Sequence, residues 1–382
     1  MSDKVRLGVI GVGGMGSGHA GYIKGGEVQR CELTAVCDID PKRLDNFPDL
    51  PRFEDSRELI RSGLVDAVLI ATPHYEHTTI GIDALQQGLH VLTEKPIAVH
   101  KADAQRMIDA WQGTNLKFQA MFQMRTSPAF RKMKELIASG ELGEITRVCW
   151  IATNWFRTEA YYASGGWRAT WSGEGGGILL NQCPHNMDML YWLVGAPSKI
   201  SAHCGFGRKH NIEVEDEVTA YLEYPNGATG VFISSTGEAP GSNIMEICGE
   251  RGKISSEGNK VRFIRNEMEM TEFSRTSTAA FASPPVWNIE IPVGGGGDHK
   301  VITQNFVNAI LDGEPLIAPA QEGIHSVEMA CSMLYSAFTN APVEFPLDAA
   351  AYEAKLKELI ATSRYVKPEV KAGTDDISAS FH

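Results

Sequence analysis

Lys95 is the residue whose type and position in this sequence most directly suggest chemistry. It lies in the tetrapeptide Thr93-Glu94-Lys95-Pro96, directly after the apolar segment Gly88-Leu89-His90-Val91-Leu92. A lysine at the C-terminal end of a parallel strand points into the crevice in which doubly wound sheets bind their ligands. There its ammonium group can stabilise developing negative charge, or carry a proton once burial lowers its pKa. A surface lysine in a turn is the competing interpretation, and a glycine-rich motif earlier in the chain weighs against it.

A second group of polar residues follows the glycines at 173–177. Asn181, His185, Asp188 and Trp192 are spaced by four, three and four residues, so on a single helix they share one side. A lone histidine on an apolar helix is usually a satisfied core residue. A polar stripe among Leu, Met and Trp needs buried partners, which favours a binding site over a structural network. His185 and Asp188 alone are too few local ligands for a metal site.

Aromatic residues cluster just before this segment, namely Trp155, Tyr161, Tyr162, Trp167 and Trp171. Their apolar rings with polar handles suit a sugar, which offers C–H faces and hydroxyl rims. Packing at a hinge between domains explains each of them equally well.

The elements that position these residues begin with the strand Val5–Ile10 and the turn that follows it. Gly11-Val12-Gly13-Gly14-Met15-Gly16 fits the pattern G-x-G-x-x-G, in which glycines permit a tight turn and close approach of a pyrophosphate. The helix after the turn directs its positive N-terminus at the phosphates. Alone the pattern is weak, but its context of alternating strands and helices supports a dinucleotide site.

The second strand, Cys31–Cys37, ends at Asp38, where a carboxylate is placed to hold the adenosine ribose hydroxyls. Asp38 can instead cap a helix that begins at Pro41. A carboxylate here disfavours the 2′-phosphate of NADP, so NAD is the preferred cofactor, although Lys42 and Arg43 weaken that inference.

Two further segments reach the same edge of the predicted sheet. The strand Ala67–Ala71 leads into Thr72-Pro73-His74-Tyr75-Glu76-His77, a loop expected beside the nicotinamide ribose. His74 is equally well explained as a solvated loop residue, and His77 is expected to begin the helix Thr78–Gln87. Phe118–Gln123 is predicted as the last strand and brings Gln123 to the domain junction.

After about residue 124 the pattern changes to an α+β arrangement. Alternating segments predict strands at Ile145–Thr153, Lys199–Phe206, Glu217–Tyr224, Ala228–Ser235, Asn243–Cys248, Lys253–Ser256 and Lys260–Ile264. Pro225-Asn226-Gly227 indicates a hairpin turn. The four glycines at 294–297 precede Asp298, which is expected to cap a helix over 300–311. The last dozen residues are polar and are predicted to form an arm.

Composition excludes several classes of partner. The 382 residues exceed what one core usually holds, so two domains are expected. The formal charge of −12 gives no electrostatic reason to bind nucleic acid or an anionic membrane, and no segment is long and apolar enough to span a bilayer. Seven scattered cysteines without a Cys-x-x-Cys motif indicate reduced thiols in a cytoplasmic protein, and no metal site is expected. The early first strand leaves no room for a signal peptide.

In order and approximate spacing, these motifs resemble the glucose–fructose oxidoreductase/inositol dehydrogenase (Gfo/Idh/MocA) family. The resemblance rests on the glycine turn, on Glu94-Lys95-Pro96, and on the three glycines followed by His-x-x-Asp. It extends to Asn305-Phe306-x-x-Ala309-Ile310 and to Val343-x-x-Pro346, so it covers nearly the whole chain. Glu-Lys-Pro after a dinucleotide fold is the specific marker.

The resemblance implies a Rossmann domain, a doubly wound parallel sheet, over residues 1–124. Residues 125–382 are then a substrate-binding and oligomerisation domain with a large, mostly antiparallel open sheet. The implied activity is NAD(P)-dependent hydride transfer on a sugar, glycoside, anhydrosugar or cyclitol. A homodimer or homotetramer formed through the open sheet is expected.

The resemblance also implies roles for single residues. Lys95 maps onto the catalytic lysine and His185 onto the acid/base histidine, with Lys95 stabilising an alkoxide as His185 takes the hydroxyl proton. Asn181 falls where many members have an Asp, which makes the site similar to members acting on glucosides and anhydrosugars. The implied substrate contacts are Asn181, Arg168, Arg125, Trp155 and Tyr161, with Asp188 fixing the tautomer of His185. The implied cofactor contacts are Gly11, Gly13, Gly14, Met15, Gly16, Asp38, Thr72, Pro73, His74, His77, Glu94, Lys95, Gln123, Trp167 and Arg168.

Two other functions remain open on the sequence. A relative that cleaves glycosides can use tightly held NAD in a redox-neutral cycle of oxidation and elimination. A catalytically silent sugar or nucleotide sensor is the third hypothesis, and the presence of both Lys95 and His185 counts against it.

Overall fold

The computed structural model describes residues 3–258, 260–295 and 297–367, and the predicted C-terminal arm lies outside these ranges. The strands are β1 Val5–Ile10, β2 Cys31–Cys37, β3 Arg52–Phe53, β4 Ala67–Ile70, β5 His90–Thr93, β6 Phe118–Ala120, β7 Ile145–Ala152, β8 Lys199–Phe206, β9 Glu215–Glu223, β10 Thr229–Ser235, β11 Asn243–Gly249, β12 Gly252–Glu257, β13 Lys260–Asn266, β14 Val286–Ile291 and β15 Val343–Glu344. The helices are α1 Gly14–Lys24, α2 Pro41–Leu44, α3 Ser56–Arg61, α4 His74–Gln86, α5 Lys101–Trp111, α6 Pro128–Ala138, α7 Glu159–Ala163, α8 Trp171–Glu174, α9 Ile178–Asn181, α10 Pro184–Val194, α11 Met270–Thr276, α12 His299–Asp312, α13 Gly323–Thr339 and α14 Ala349–Thr362.

The first sheet is parallel throughout, in the order β3-β2-β1-β4-β5-β6. Every residue of β4 is buried, because parallel strands are covered by helices on both faces. The strand order reverses between β1 and β4, and ligands bind beyond the carboxyl ends of the strands at such a point. The glycine turn after β1 and Lys95 after β5 therefore lie at the same edge. The predicted doubly wound fold is confirmed.

The second sheet contains nine strands in the order β14-β13-β12-β11-β7-β10-β9-β8-β15. Its neighbouring strands pair antiparallel, except for the parallel pair β7 and β10. In β9, Val218, Ala220 and Leu222 are buried whereas Thr219 and Tyr221 are exposed, so one face packs on helices and the other is open. The predicted mostly antiparallel open sheet is confirmed. Strand β14 was not predicted from the sequence, although Trp287, Ile289 and Ile291 alternate with Asn288 and Glu290; its residues are nearly all exposed.

Helix α12 returns from the second half of the chain to the first sheet. The Tyr22 hydroxyl on α1 lies 2.7 Å from Thr303 Oγ1 on α12, and Gln29 N donates to Gln304 Oε1 at 2.6 Å. A division of the chain at residue 124 separates the two sheets but leaves α12 packed against the first. That boundary stays a prediction.

Three local elements differ from the predictions, each near the site. Helix α4 begins at His74, directly after Pro73, so His74 and His77 are both helical. Strand β6 ends at Ala120, and a 3₁₀ turn over Gln123–Thr126 follows. The prediction that Asn181 shares one helix with His185, Asp188 and Trp192 is wrong for Asn181, which ends α9, because Pro184 lacks an N–H donor and lies in the first turn of the next helix, α10.

Candidate active site

Lys95 connects the two halves of the chain at the crevice. Its ammonium Nζ donates to the backbone oxygen of Asn181 at 2.8 Å, and its own N–H donates to Glu94 Oε2 at 3.2 Å. Burial lowers the pKa of Lys95 because it disfavours the charged form, while the Glu94 carboxylate acts in the opposite direction. The lysine is thus fixed at both its backbone and its amine.

His185 lies in the first turn of α10 with its ring buried. Its Nε2 is 3.1 Å from Gln123 Nε2, and its Nδ1 has no hydrogen-bond partner in the described ranges. Burial, followed by the charge of Lys95, holds the pKa of His185 well below its usual value. The imidazole is therefore neutral near pH 7, with one nitrogen carrying a proton and the other a lone pair. The orientation of the Gln123 amide decides which is which: Nε2 holds the lone pair if the amide N–H faces it, and Nδ1 holds it if the amide oxygen does.

Arg125 and Asp188 form a separate buried ion pair. Both Asp188 oxygens accept from the Arg125 guanidinium, at 2.6 and 2.9 Å, and the Arg125 side chain is 1% exposed. Arg125 also donates to Glu322 at 2.5 Å. The prediction that Asp188 contacts His185 and fixes its tautomer is therefore wrong. Gln123 is the residue that contacts the His185 ring. Arg125 hydrogen-bonds the carboxylates of both Asp188 and Glu322, and its assignment as a substrate contact stays a prediction.

Tyr161, Arg168 and Asn181 form one polar cluster beside Lys95. The Tyr161 hydroxyl accepts from Arg168 Nη1 at 2.7 Å and from Gln182 Nε2 at 2.9 Å, and it donates to Asn181 Oδ1 at 3.3 Å. The Arg168 guanidinium lies 4.5 Å from the ring centres of both Tyr161 and Trp167. These predicted residues are brought together, with the arginine held between two aromatic faces.

The other aromatic residues divide between packing and the cleft. Trp171 is buried against Phe206 and Phe338, and the Tyr162 hydroxyl bonds Thr236, so these two belong to the core. Trp155 is half-buried, and its indole N–H has no hydrogen-bond partner among the residues described. It remains a donor for a ligand.

The glycine turn has the geometry that the pattern predicts. A Cβ added to Gly11, whose φ is +87°, would lie 2.7 Å from the Ala71 oxygen, and one added to Gly16 would lie 1.7 Å from the Gly11 oxygen. Side chains are excluded at both positions, so the backbone can approach a ligand closely. Gly13, Gly14 and Met15 are partly or fully exposed at the crevice, and α1 begins at Gly14.

Asp38 is buried at the end of β2 and braces this turn. Its Oδ2 accepts from Val12 N at 2.9 Å and its Oδ1 from Asp40 N at 2.9 Å. Asp40, not Asp38, caps α2, so the capping alternative is wrong. Arg43 Nη1 lies 3.4 Å from both Asp38 oxygens, close to Gly13.

The loop after β4 is more buried than the sequence indicates. His74 Nδ1 donates to the Glu174 backbone oxygen at 3.1 Å, and the His74 ring centre lies 5.2 Å from that of Trp167. The interpretation of His74 as a solvated loop residue is therefore wrong. His77 contacts Pro96 O and Thr72 O, each at 2.8 Å. It clamps the turns after β4 and β5 together, which corrects its assignment as a cofactor contact.

Two buried groups near Lys95 were not identified from the sequence. His19 on α1 bonds Glu94 Oε1 at 2.7 Å and Tyr22 at 2.8 Å. Although burial acts to raise the pKa of Glu94, the His19 contact holds it below its usual value. Glu174 accepts from Asn181 Nδ2 and from Ala169 N. A histidine three residues after the last fingerprint glycine and an acid inside a glycine run were the available signals.

The site also contains buried polar atoms that make no hydrogen bond within the described residues and are available to a ligand. Thr72 Oγ1, Gln123 Oε1, His185 Nδ1 and Trp155 Nε1 have no hydrogen-bond partner within the described part of the chain. The sequence analysis assigns Thr72 and Gln123 to the cofactor, Trp155 to the substrate and His185 to catalysis, and further unpartnered buried atoms lie on other residues of the described ranges. Since buried polar groups are normally paired, this concentration marks a binding site.

A parallel sheet with a glycine-lined dinucleotide turn, facing a buried lysine and a neutral histidine, defines a dinucleotide-dependent oxidoreductase. Family models give the same result: residues 5–122 match the oxidoreductase family with an NAD-binding Rossmann fold, and residues 130–255 match the GFO/IDH/MocA C-terminal domain. The chain belongs to the Gfo/Idh/MocA family, and the predicted family and enzyme class are confirmed.

Two characterised relatives are similar in sequence over most of this chain. Levoglucosan dehydrogenase from Pseudarthrobacter phenanthrenivorans is 27% identical over 76% of this chain and 83% of its own. Inositol 2-dehydrogenase from Corynebacterium glutamicum is 23% identical over 92% of this chain and 98% of its own. The solved WlbA dehydrogenase from Bordetella pertussis, in complex with NADH and UDP-GlcNAcA, superposes with a TM-score of 0.76 at 26% identity, covering 90% of this chain and 100% of that one.

No helix within residues 3–258, 260–295 and 297–367 is long and apolar enough to cross a membrane. The same ranges contain no group of three or more His, Cys, Asp or Glu side chains placed to hold a metal ion. The seven cysteines all lie in these ranges, and each is unpaired.

Proposed function

We propose that this protein transfers hydride between NAD and a hydroxyl-bearing ring carbon of a sugar, glycoside, anhydrosugar or cyclitol. The observation that supports it best is the Lys95 Nζ contact with Asn181, which brings the lysine to the segment that leads into His185. The unpartnered atoms of Thr72, Gln123 and His185 add donors and acceptors at the same place. Relatives named as dehydrogenases of levoglucosan and inositol support this substrate class.

The residues present fit a dinucleotide. Gly11 and Gly16 lie too close to the backbone of Ala71 and Gly11 for a side chain, which supports the tight turn of a dinucleotide site, and Asp38 is buried at the end of β2, where a ribose contact is proposed. When bound, NAD⁺ supplies the hydride acceptor. His185 accepts the proton of the substrate hydroxyl, and the Lys95 ammonium stabilises the oxygen as negative charge develops on it. The unpaired Trp155 donor and the Asn181 amide orient the remaining hydroxyls.

Replacing Lys95 by Ala tests this assignment. We expect turnover of any accepted sugar to fall by about 10²-fold or more, because a charge that acts in a dry site is lost. NAD⁺ binding, measured by calorimetry, should stay close to that of the unchanged protein. A screen of NAD⁺ and NADP⁺ reduction against sugars, glucosides, anhydrosugars and cyclitols identifies the substrate beforehand. Near-normal turnover of the variant on that substrate would refute the role of Lys95.

We further propose that NAD is preferred over NADP, which the buried Asp38 carboxylate supports. Asp38→Ala should lower kcat/KM for NAD⁺ by roughly tenfold and that for NADP⁺ by less, since an acid at the ribose repels a 2′-phosphate. Asp40→Ala is the control, because it removes a nearby, partly exposed acid that caps α2 and lies 3.7 Å from Arg43 Nε. An unchanged ratio of the two cofactors in Asp38→Ala would discard the preference.

We also propose that the protein works in the cytoplasm as a homodimer or homotetramer. The seven unpaired cysteines support a reducing compartment. The exposed side of the second sheet supports assembly, because an open sheet face with apolar residues is normally covered.

A further inference from the structure

Glu174 is an acidic residue at the end of α8, and only 1% of its surface is exposed. We propose that Glu174 is a positioning residue that sets the hydrogen-bonding polarity of the substrate pocket. It does so by orienting the Asn181 amide and by holding the backbone turn behind Arg168. The consequence for substrate rests on the proposed function, whereas the two contacts can be tested without any substrate.

The first contact decides which end of the Asn181 amide faces the pocket. Asn181 Nδ2 donates to Glu174 Oε1, as an ionised carboxylate requires, because it can only accept. Burial raises the pKa of Glu174, and the charge of Arg168 opposes that shift. The Tyr161 hydroxyl fixes the same amide orientation, because it already accepts from Arg168 and Gln182 and has only its proton left for Asn181. Asn181 Oδ1 is then turned the other way, toward the Tyr161 hydroxyl at 3.3 Å. The amide therefore presents an acceptor to the cluster beside Lys95, and Glu174 removes the usual ambiguity of an amide flip. A substrate hydroxyl at this position must donate.

The second contact holds a strained backbone. Ala169 has a φ of +66°, in the left-handed region that non-glycine residues rarely adopt and that persists only when its surroundings fix it. Glu174 Oε2 accepts from Ala169 N at 2.8 Å and supplies that restraint. Arg168 is the preceding residue, so the turn directs its guanidinium between Tyr161 and Trp167.

One carboxylate thus braces two of the predicted substrate contacts. Arg168 makes no ion pair with a carboxylate among residues 3–258, 260–295 and 297–367, and its ordered placement depends on the rings and on the turn. Glu174 lies close enough to Arg168 and Lys95 for their charges to interact. Its removal should therefore disturb binding and orientation of the substrate more than the proton and charge chemistry at Lys95 and His185.

The test is Glu174→Gln, which keeps the shape but offers a single acceptor oxygen. If its oxygen keeps the bond from Ala169 N, its amide nitrogen can only donate, so the bond with Asn181 is either lost or reversed by a turn of the Asn181 amide. We expect KM for the sugar to rise roughly threefold to tenfold, the effect of one hydrogen bond, with a smaller change in kcat. Discrimination between epimers at the hydroxyl that meets Asn181 should fall by a similar factor. Amide exchange at Ala169 should accelerate in Glu174→Ala compared with the unchanged protein.

Glu328→Gln is the matched control. Glu328 is also buried and accepts two hydrogen bonds, from Lys101 Nζ at 2.7 Å and Leu347 N at 2.8 Å, but touches none of the site residues. It should lower the melting temperature without changing KM, epimer preference or exchange at Ala169. If Glu174→Ala does not fold, Glu174→Gln supplies the exchange measurement as well.

Unchanged KM and epimer preference in Glu174→Gln, together with a protected Ala169 amide, overturn the proposal. An equal loss in Glu328→Gln also overturns it, since the effect is then one of general stability. Should the unchanged protein oxidise no sugar, the proposed function fails, and exchange at Ala169 still decides whether Glu174 holds the turn.

Discussion

At the scale of single residues, the proposed function depends on Lys95 and His185, whose pKa values are both lowered mainly by burial. Burial lowers the pKa of Lys95, and the charge of Lys95 lowers the pKa of His185 further. An acceptor must be neutral, so a depressed pKa keeps His185 active to lower pH than an exposed histidine. In the proposed mechanism Lys95 supplies the positive charge, and His185 stays neutral and can accept a proton.

This coupling predicts the acid side of the pH profile. The acid limb of kcat/KM should lie below the ordinary histidine value of about 6.5, because His185 protonates only beneath its lowered pKa. Lys95→Met removes the positive charge, so the pKa of His185 rises and the limb moves to higher pH. The residual activity of the variant, measured from pH 4 to 9, checks the direction. A limb that does not move would show that Lys95 and His185 are not coupled.

The sequence identifies chemistry-bearing residue types well and their partners poorly. Lys95, Asn181 and the glycine turn were recognised because strand ends and glycine spacing determine where they lie. Asp188 was paired with the wrong side chain, since its true partner Arg125 is 63 residues away and no local pattern reports such a contact. Glu174 was missed although its partners Ala169 and Asn181 are only five and seven residues away, because an acid within a glycine run has no helix or strand periodicity that indicates burial.

At the scale of elements, two helices are joined to the site by buried ion pairs and hydrogen bonds. The Arg125–Asp188 pair links the 3₁₀ turn after β6 to α10, and both side chains are 1% exposed. The His19–Glu94 contact links α1 to the turn after β5, and Tyr22 extends it to α12. The elements that carry Lys95 and His185, the proposed catalytic residues, are therefore held by contacts between segments that are distant in the chain.

Breaking the Arg125–Asp188 pair should be costly. We expect Asp188→Asn to lower the free energy of unfolding by about 3–5 kcal/mol, because an arginine is left buried with a lost charge partner. The double variant Arg125→Met with Asp188→Leu should recover much of that loss, since no buried charge remains. Urea unfolding of the three proteins measures both effects. Equal stability of Asp188→Asn and the unchanged protein would contradict the structural role assigned to this pair.

The sequence predicts element types more reliably than their ends. Strands of the first sheet were recognised because burial on both faces produces short apolar runs. The helix after residue 178 was drawn through Pro184, since the three- and four-residue spacing continues across the break. Strand β14 is missed because its pairing with β13 gives no buried alternation.

At the scale of the whole molecule, the open face of the second sheet is the surface that the single chain leaves uncovered. Cross-strand neighbours on this face include Val231 opposite Tyr221 and Cys149, and Ile151 opposite Ile233 and Ile244. Tyr221 is 44% and Ile244 40% exposed, which is unusual for large side chains in the middle of a sheet. The proposed assembly has a second copy of the chain cover this face in a symmetric arrangement, in which one patch meets itself.

The double substitution Tyr221→Glu with Ile244→Lys places charges in that patch. We expect it to reduce the sedimentation mass to that of one chain, 41.7 kDa, because charges without partners are costly to desolvate in an interface. Leu64→Lys, at a residue 37% exposed beside the first sheet, is the control and should keep the assembled mass. Dissociation with retained NAD⁺ binding would show that the open sheet joins the subunits while the dinucleotide site is complete in each. An unchanged mass for the double variant would place the contact on another surface.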